Sequence, residues 1–335
     1  MRHAHAHNDT PVKSTAQGYL DGLRPYRSRA PWFGGDLQTV RNSFFPVRPE
    51  QADESLYLEM SDASGDRLLV RHFRGAPEKP LIVLMHGLAG DEGSSYMILA
   101  LRHLRRIGFP VLLVNLRGAL PSRPTCKLQY HAGRSEDLRD LLIALPDGMI
   151  EAGAVMVGFS LAGNMVLKFA AEFAASLPVA GVVAVSAPVD LALTSANMLR
   201  ARNYLYNQRL LADYKKQCTA AGAHVSEEEN AAIRRSRNFV DFDNFFVAPR
   251  NGFRDAEDYW QKSQAKQFLG AIPVPSLIIH AIDDPMVPFA VYDGVDWRSN
   301  TKLVPCFTKG GGHVGFHAPD GPWYAPAIGR FSDQL

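Results

Sequence analysis

Ser160, Asp284 and His313 stand far apart in the chain, yet each sits in a setting that suits one part of nucleophilic acyl transfer. A serine hydroxyl attacks a carbonyl only when an imidazole removes its proton, and the imidazole works best when a carboxylate fixes its tautomer. Ser160 lies in Gly158-Phe159-Ser160-Leu161-Ala162. An apolar run, Ala154-Val155-Met156-Val157, precedes it, and Met165-Val166-Leu167-Lys168-Phe169-Ala170-Ala171, rich in helix formers, follows. The expected path is strand, sharp turn, helix, with small residues letting the two arms approach. Ala162 fills a position where glycine is commoner, so its methyl must either fit or shift the turn.

In such an arrangement the acid and then the histidine follow the serine along the chain. The acid is expected in His280-Ala281-Ile282-Asp283-Asp284-Pro285-Met286-Val287-Pro288, just beyond an apolar strand. Asp284 is the choice, because its four-residue separation from Pro288 matches the usual acid loop; Asp283 is expected to turn the loop or pair locally. His313 is the expected base, since Gly310-Gly311-Gly312 lets its loop reach over the sheet, whereas the flank of His317 is less loop-like. The glycine run is no phosphate cradle, for it lacks both the Walker ending and the dinucleotide-binding spacing.

The tetrahedral intermediate needs donors for its oxyanion. The backbone N–H of Leu161, directly after the serine, and that of Leu88, in His86-Gly87-Leu88-Ala89-Gly90, are the candidates. His86 suits a loop-organising role rather than that of a base.

These residues need a scaffold of alternating strands and helices. Leu81 to Met85, Phe109 to Val114, Ala154 to Val157 and Ala180 to Val185 read as buried strands, separated by helices ending near Arg106 and spanning Ser135 to Leu145. A strand at Val274 to His280, with Pro275 at its start, and another at Lys302 to Cys306 resume the sheet; Leu56 to Leu58 and Leu68 to His72 read as an antiparallel edge. The fold class is therefore α/β, a mostly parallel sheet with flanking helices and an inserted cap. Residues 1–50 form an N-terminal extension, 51–190 and 270–335 the core, and 191–269 a helical cap. Within the cap, Phe242, Phe245, Phe246, Phe253, Tyr259 and Trp260 are expected to line an acyl pocket, to form the cap's own core, or both.

Composition narrows the classes. The 335 residues are 46% hydrophobic and carry 36 basic and 34 acidic side chains, so neither global disorder nor a field drawing the molecule to nucleic acid is expected. Arg102, Arg105 and Arg106 recur at helical spacing as a solvated face. Cys126, Cys218 and Cys306 are odd in number and widely spaced, which argues against disulfides and for a reducing cytoplasm. No apolar signal segment opens the chain, and Leu177 to Val189 is too short to span a membrane. His3, His5 and His7 share a face if extended and could hold a metal weakly, though a frayed terminus is preferred. No metal or cofactor is expected, because neither a His-Glu-x-x-His helix nor a nucleotide-binding pattern is present.

Taken together, the sequence resembles the α/β-hydrolase superfamily, and within it the YheT-like hydrolases and related esterases. The likeness runs from Pro31-Trp32-Phe33-Gly34-Gly35-Asp36-Leu37-Gln38-Thr39 through His86 to Gly90, Asn115-Leu116-Arg117-Gly118, Tyr130-His131-Ala132-Gly133 with Asp137, and the segment from Gly158 to Asn164. Phe242-Asp243, Gly252-Phe253, Asp284-Pro285 and Gly312-His313-Val314-Gly315-Phe316 extend it. The resemblance implies Ser160, Asp284 and His313 as a triad, and hydrolysis of small-molecule or lipid acyl esters. An acyltransferase using the same triad and a noncatalytic binding protein are the alternatives.

Overall fold

Successive side chains of a strand point to opposite faces, and the central strands of this protein bury both. Leu81, Val83 and Met85 join the apolar layer on one face of the sheet, Ile82 and Leu84 the layer on the other. That double burial is why the run is apolar throughout. The computed structural model describes residues 18–335, so His3, His5 and His7 lie outside the described residues.

Eight strands form one sheet: β1 (Glu54–Glu59), β2 (Arg67–Phe73), β3 (Leu81–Met85), β4 (Val111–Val114), β5 (Ala154–Phe159), β6 (Val179–Val185), β7 (Ser276–Ala281) and β8 (Leu303–Thr308). Their spatial order is β1-β2-β4-β3-β5-β6-β7-β8. β3 to β8 pair in parallel, while β1 and β2 make the antiparallel edge. β4 starts later than the apolar run from Phe109 suggests, since Pro110 has no N–H to give a ladder and offers only its carbonyl, to Ile82.

Helix α1 (Gly35–Phe44) precedes the sheet. α2 (Ser95–Arg106) and the final helix pack on one face through Met97, Leu101, Leu104, Ile328 and Phe331; α3 (Glu136–Ile143) and α4 (Leu161–Phe173) cover the other. On the outer side of α2, Arg102 and Arg105 both reach Glu50. Arg106 is exposed beside them.

A helical insert separates β6 from β7. It comprises α5 (Leu191–Met198), α6 (Tyr204–Cys218), α7 (Glu227–Arg235), a broken run through Phe239–Phe242, Asp243–Val247 and Ala248–Arg250, and α8 (Ala256–Ser263). The last helix of the chain, α9, spans Tyr324–Ser332. Local chemistry sets these boundaries: Ser226 and Glu229 form a reciprocal capping box at the start of α7. The insert is tied down by amides. Asn197 and Asn203 donate to the carbonyl of Pro285, and Asn164 on α4 bonds to Ala132, Ser263 and Ala265. Among the described residues no helix is long and apolar enough to cross a membrane.

The cap aromatics divide the two tasks expected of them. Phe242 and Phe246 are buried against each other and Tyr214 as the insert's own core, whereas Tyr259 and Trp260 line the cavity described below. Phe245 turns outward under the guanidinium of Arg235.

Candidate active site

Strand order reverses around β3, whose neighbours are β4 and β5. In an open α/β sheet such a reversal leaves a crevice beyond the strands' carboxyl ends. Ser160 follows β5 at that point, and the segment from His86 to Gly90 follows β3. Ser160 adopts φ 52° and ψ −120°, the strained turn that presents its hydroxyl. Its N–H is bonded to the Val185 carbonyl at 2.8 Å.

Close backbone approach explains the small residues of the turn. A side chain at Gly158 would run into the carbonyl of Ala162, and one at Gly87 would come within 2.9 Å of the Ser160 Cβ. Ala162 is no obstruction: its methyl is buried in the apolar layer beneath the sheet, and the geometry at Ser160 is intact.

The three residues chosen from the sequence are in contact. The Ser160 hydroxyl donates to His313 Nε2 at 2.8 Å, and His313 Nδ1–H donates to Asp284 Oδ2 at 2.8 Å. Asp284 Oδ1 accepts the N–H groups of Met286 and Val287 at 2.8 and 2.9 Å. Burial alone would raise the Asp284 acid, but the adjacent His313 imidazole and these donors hold it below the ordinary carboxylate range. The carboxylate is thus ionised and fixes the histidine tautomer that leaves Nε2 free to take a proton.

Asp283 does not reach the imidazole. Its Oδ1 accepts the N–H of Gly312 at 2.9 Å, tying down the loop that carries His313. His317 is buried away from Ser160, with its backbone bonded to Gln38. His86 organises its loop: Nε2 accepts the Leu116 N–H at 3.1 Å, and Nδ1–H donates to the Gly87 carbonyl at 2.8 Å. Burial pushes it down to about 4, so it stays neutral.

The same loop isolates one donor. Gly87 N–H is engaged by the Tyr96 hydroxyl at 2.9 Å and Ala89 N–H by the Tyr130 hydroxyl at 2.7 Å. Among the described residues, neither the intervening Leu88 N–H nor the Leu161 N–H at the start of α4 has a protein acceptor.

Several contributors escaped the sequence reading. Thr39 on α1 accepts the His313 N–H at 2.8 Å while donating to the Gly35 carbonyl at 2.7 Å. Gln38, fully buried, accepts the His317 N–H at 2.6 Å. Asp36 on the same helix bonds Arg202 and Tyr206 of the insert at 2.9 and 3.0 Å. The signal was present in the polar run Asp36-Leu37-Gln38-Thr39, although nothing local tells what it holds.

A mostly apolar cavity opens on the Ser160–His313 pair. Leu88, Leu161, Leu191, Met198, Val247 and Met286 supply much of its wall. Asp243 of the insert and His131, from the core segment before α3, place a carboxyl and an imidazole in that wall. Burial pushes the Asp243 carboxyl up to about 7 against a hydrogen bond from Trp260, and pushes His131 down to about 3.

Residues 80–317 match the family described as alpha/beta hydrolase fold. The Escherichia coli protein YheT is 31% identical over 244 residues, which is 72% of this chain and 72% of the relative. A Saccharomyces cerevisiae monoacylglycerol lipase is 28% identical over 276 residues, 76% of this chain but 59% of the relative. Among solved structures, the Pyrococcus furiosus esterase Pf2001 superposes with a TM-score of 0.57 at 13% identity, covering 93% of this chain and 99% of that one. At that identity the likeness speaks for the fold. With more than half of its length matched and the sheet order to go with it, the chain belongs to the alpha/beta hydrolase family and is a homologue of YheT within it.

Proposed function

We propose that the protein is a serine carboxylesterase that hydrolyses acyl esters through an acyl-enzyme. The observation that carries this reading is the unbroken hydrogen-bond chain from Asp284 through His313 to Ser160, opening on an apolar cavity. In the first half-reaction Ser160 Oγ bonds to the ester carbonyl carbon as its proton passes to His313 Nε2. Asp284 holds the imidazolium that results. The Leu88 and Leu161 N–H groups receive the oxyanion, which collapses as the imidazolium returns its proton to the departing alcohol. Water then repeats the sequence and releases the acid. An alcohol in place of water would make the same triad an acyltransferase.

The yeast relative named a monoacylglycerol lipase supports placing the substrate among acyl esters. In this reading residues 51–190 and 270–335 are the catalytic core, 191–269 the cap that shapes the cavity, and 1–50 an extension whose α1 braces the histidine loop. The free thiols of Cys126, Cys218 and Cys306 support a reducing, cytoplasmic setting.

The test is labelling with a fluorophosphonate probe followed by peptide mapping. Wild type is expected to be labelled at Ser160 and Ser160→Ala not at all. Labelling at another residue, or none in folded wild type with every p-nitrophenyl ester inert, would move the protein to the noncatalytic alternative. Product analysis with water and alcohol acceptors separates hydrolysis from transfer.

A further inference from the structure

The insert side of the cavity carries an acid that the reaction above leaves unused. Asp243 begins a π-helical turn, Asp243–Val247, in which the Ala248 N–H reaches back five residues to the Asp243 carbonyl. Such turns recur where a helix has been adapted to present a side chain. Among the described residues the Asp243 carboxyl has one hydrogen-bond partner: Trp260 Nε1–H donates to Oδ2 at 2.8 Å. The other oxygen, Oδ1, has no protein donor, yet it is not sealed off as an orphan in the packed interior. It stays accessible because Asp243 lines the same cavity as Ser160 and His313; among the described residues no lysine or arginine lines that cavity.

A pocket that held only a hydrocarbon chain would gain nothing from this acid. Burying a carboxyl with one donor costs more than burying a leucine, and the indole N–H alone could be satisfied by a carbonyl. The Tyr259 hydroxyl, also on the wall, accepts the Ala132 N–H at 3.0 Å and keeps its own proton for a partner. The chemistry missing from this corner is a neutral group that both donates and accepts. A hydroxyl meets that need whether the acid is protonated or ionised, and its desolvation is far less costly than that of an ammonium in an apolar cavity.

We propose, on the reading that Ser160 is an acyl-ester nucleophile, that Asp243 is the specificity-determining residue of this site and that its free Oδ1 hydrogen-bonds a hydroxyl carried by the ester substrate. Trp260 is then a positioning residue, which fixes the carboxyl through Oδ2. The hydroxyl has two sources, the alcohol arm or the acyl arm of the ester.

Matched pairs separate the sources. The full-length protein is assayed on glyceryl and propyl esters of one fatty acid, and on p-nitrophenyl esters of an ω-hydroxy acid and its unsubstituted parent. Wild type is expected to favour the hydroxylated member of one pair by roughly tenfold in kcat/KM, the worth of about one hydrogen bond. Asp243→Leu should erase that preference, while Asp243→Asn, which keeps an acceptor oxygen, should retain part of it. A cooperative melt and labelling of Ser160 show which variants are folded. Should Asp243→Leu not fold, Asp243→Asn and the wild-type ratios decide. The proposal is overturned if labelled wild type shows no preference in either pair, if the preference survives Asp243→Leu, or if an ammonium-bearing ester outcompetes the hydroxylated one. Failure of wild type to label at Ser160 would instead bring down the esterase reading, and this proposal with it.

Discussion

Two aspartates serve one site, Asp243 in the wall of the cavity and Asp284 buried behind His313, and their surroundings shift them in opposite directions. Asp284, at the end of the sheet, accepts two backbone N–H groups and an imidazole N–H, and is held ionised. Asp243, in the insert, accepts one indole N–H and is pushed up to about 7 by burial. Burial raises both, Asp284 fully buried and Asp243 half-buried in the cavity wall; what separates them is the His313 imidazole beside Asp284 and the additional donors aimed at it. The sheet end is completed by the protein, while the insert side leaves one place for a ligand group.

The largest effect should come from disturbing the completed side. Asp284→Asn keeps the packing but offers the imidazole the wrong partner, so kcat should fall on the order of 10^4-fold. A fall under tenfold, measured in steady state, would mean that Asp283 or another group can take over the role.

On the other side, stability should respond before catalysis does. The native Asp243 acid keeps its proton to about pH 7, whereas an unfolded aspartate loses it near its ordinary value of 3.8. Between those values the unfolded state binds fewer protons, so this group's contribution to stability falls as pH rises from about 4 to 7. Asp243→Asn has no such titration. Urea melts of the two proteins should therefore diverge across that window in favour of Asn, on the order of a few kcal/mol, with Asp283, raised by burial in both, cancelling from the difference. Parallel curves would show that Asp243 titrates normally.

A smaller effect should test how the histidine is held. Thr39→Val removes the acceptor of the His313 N–H without changing the volume of the side chain. kcat should drop about tenfold with KM little altered, and the fold should lose about 1 kcal/mol. Equal activity would assign Thr39 to α1 alone. Smallest of all is Ala162→Gly: it restores the commoner residue but places a glycine in the first turn of α4. Stability should fall by roughly 0.5–1 kcal/mol and kcat/KM stay within about twofold, as the alanine methyl does not press on the elbow.

What could be read in advance follows from how local each signal is. The turn at Ser160, the glycines before His313 and the acid beyond β7 are marked by their nearest neighbours, as are the double-buried strands, because backbone geometry demands it there. Phe242-Asp243 is part of the family resemblance, but nothing local says what Asp243 does. Its single partner, Trp260, lies 17 residues on, and in sequence it is one polar residue among several in the insert. Thr39 is harder still, for it meets His313 across 274 residues. Strand ends moved for small reasons, such as the missing N–H of Pro110.

The π-helical turn at Asp243–Val247 bears on how substrate range could change over generations. A turn of this kind holds one residue more than a regular helix would, and each residue advances a helix by about 100°. Loss of a single codon there would therefore swing Asp243 away from the cavity and carry a neighbour into its place. The sheet and the triad lie outside the altered segment. A lineage could in this way exchange one class of ester for another in one genetic event, with its chemistry untouched.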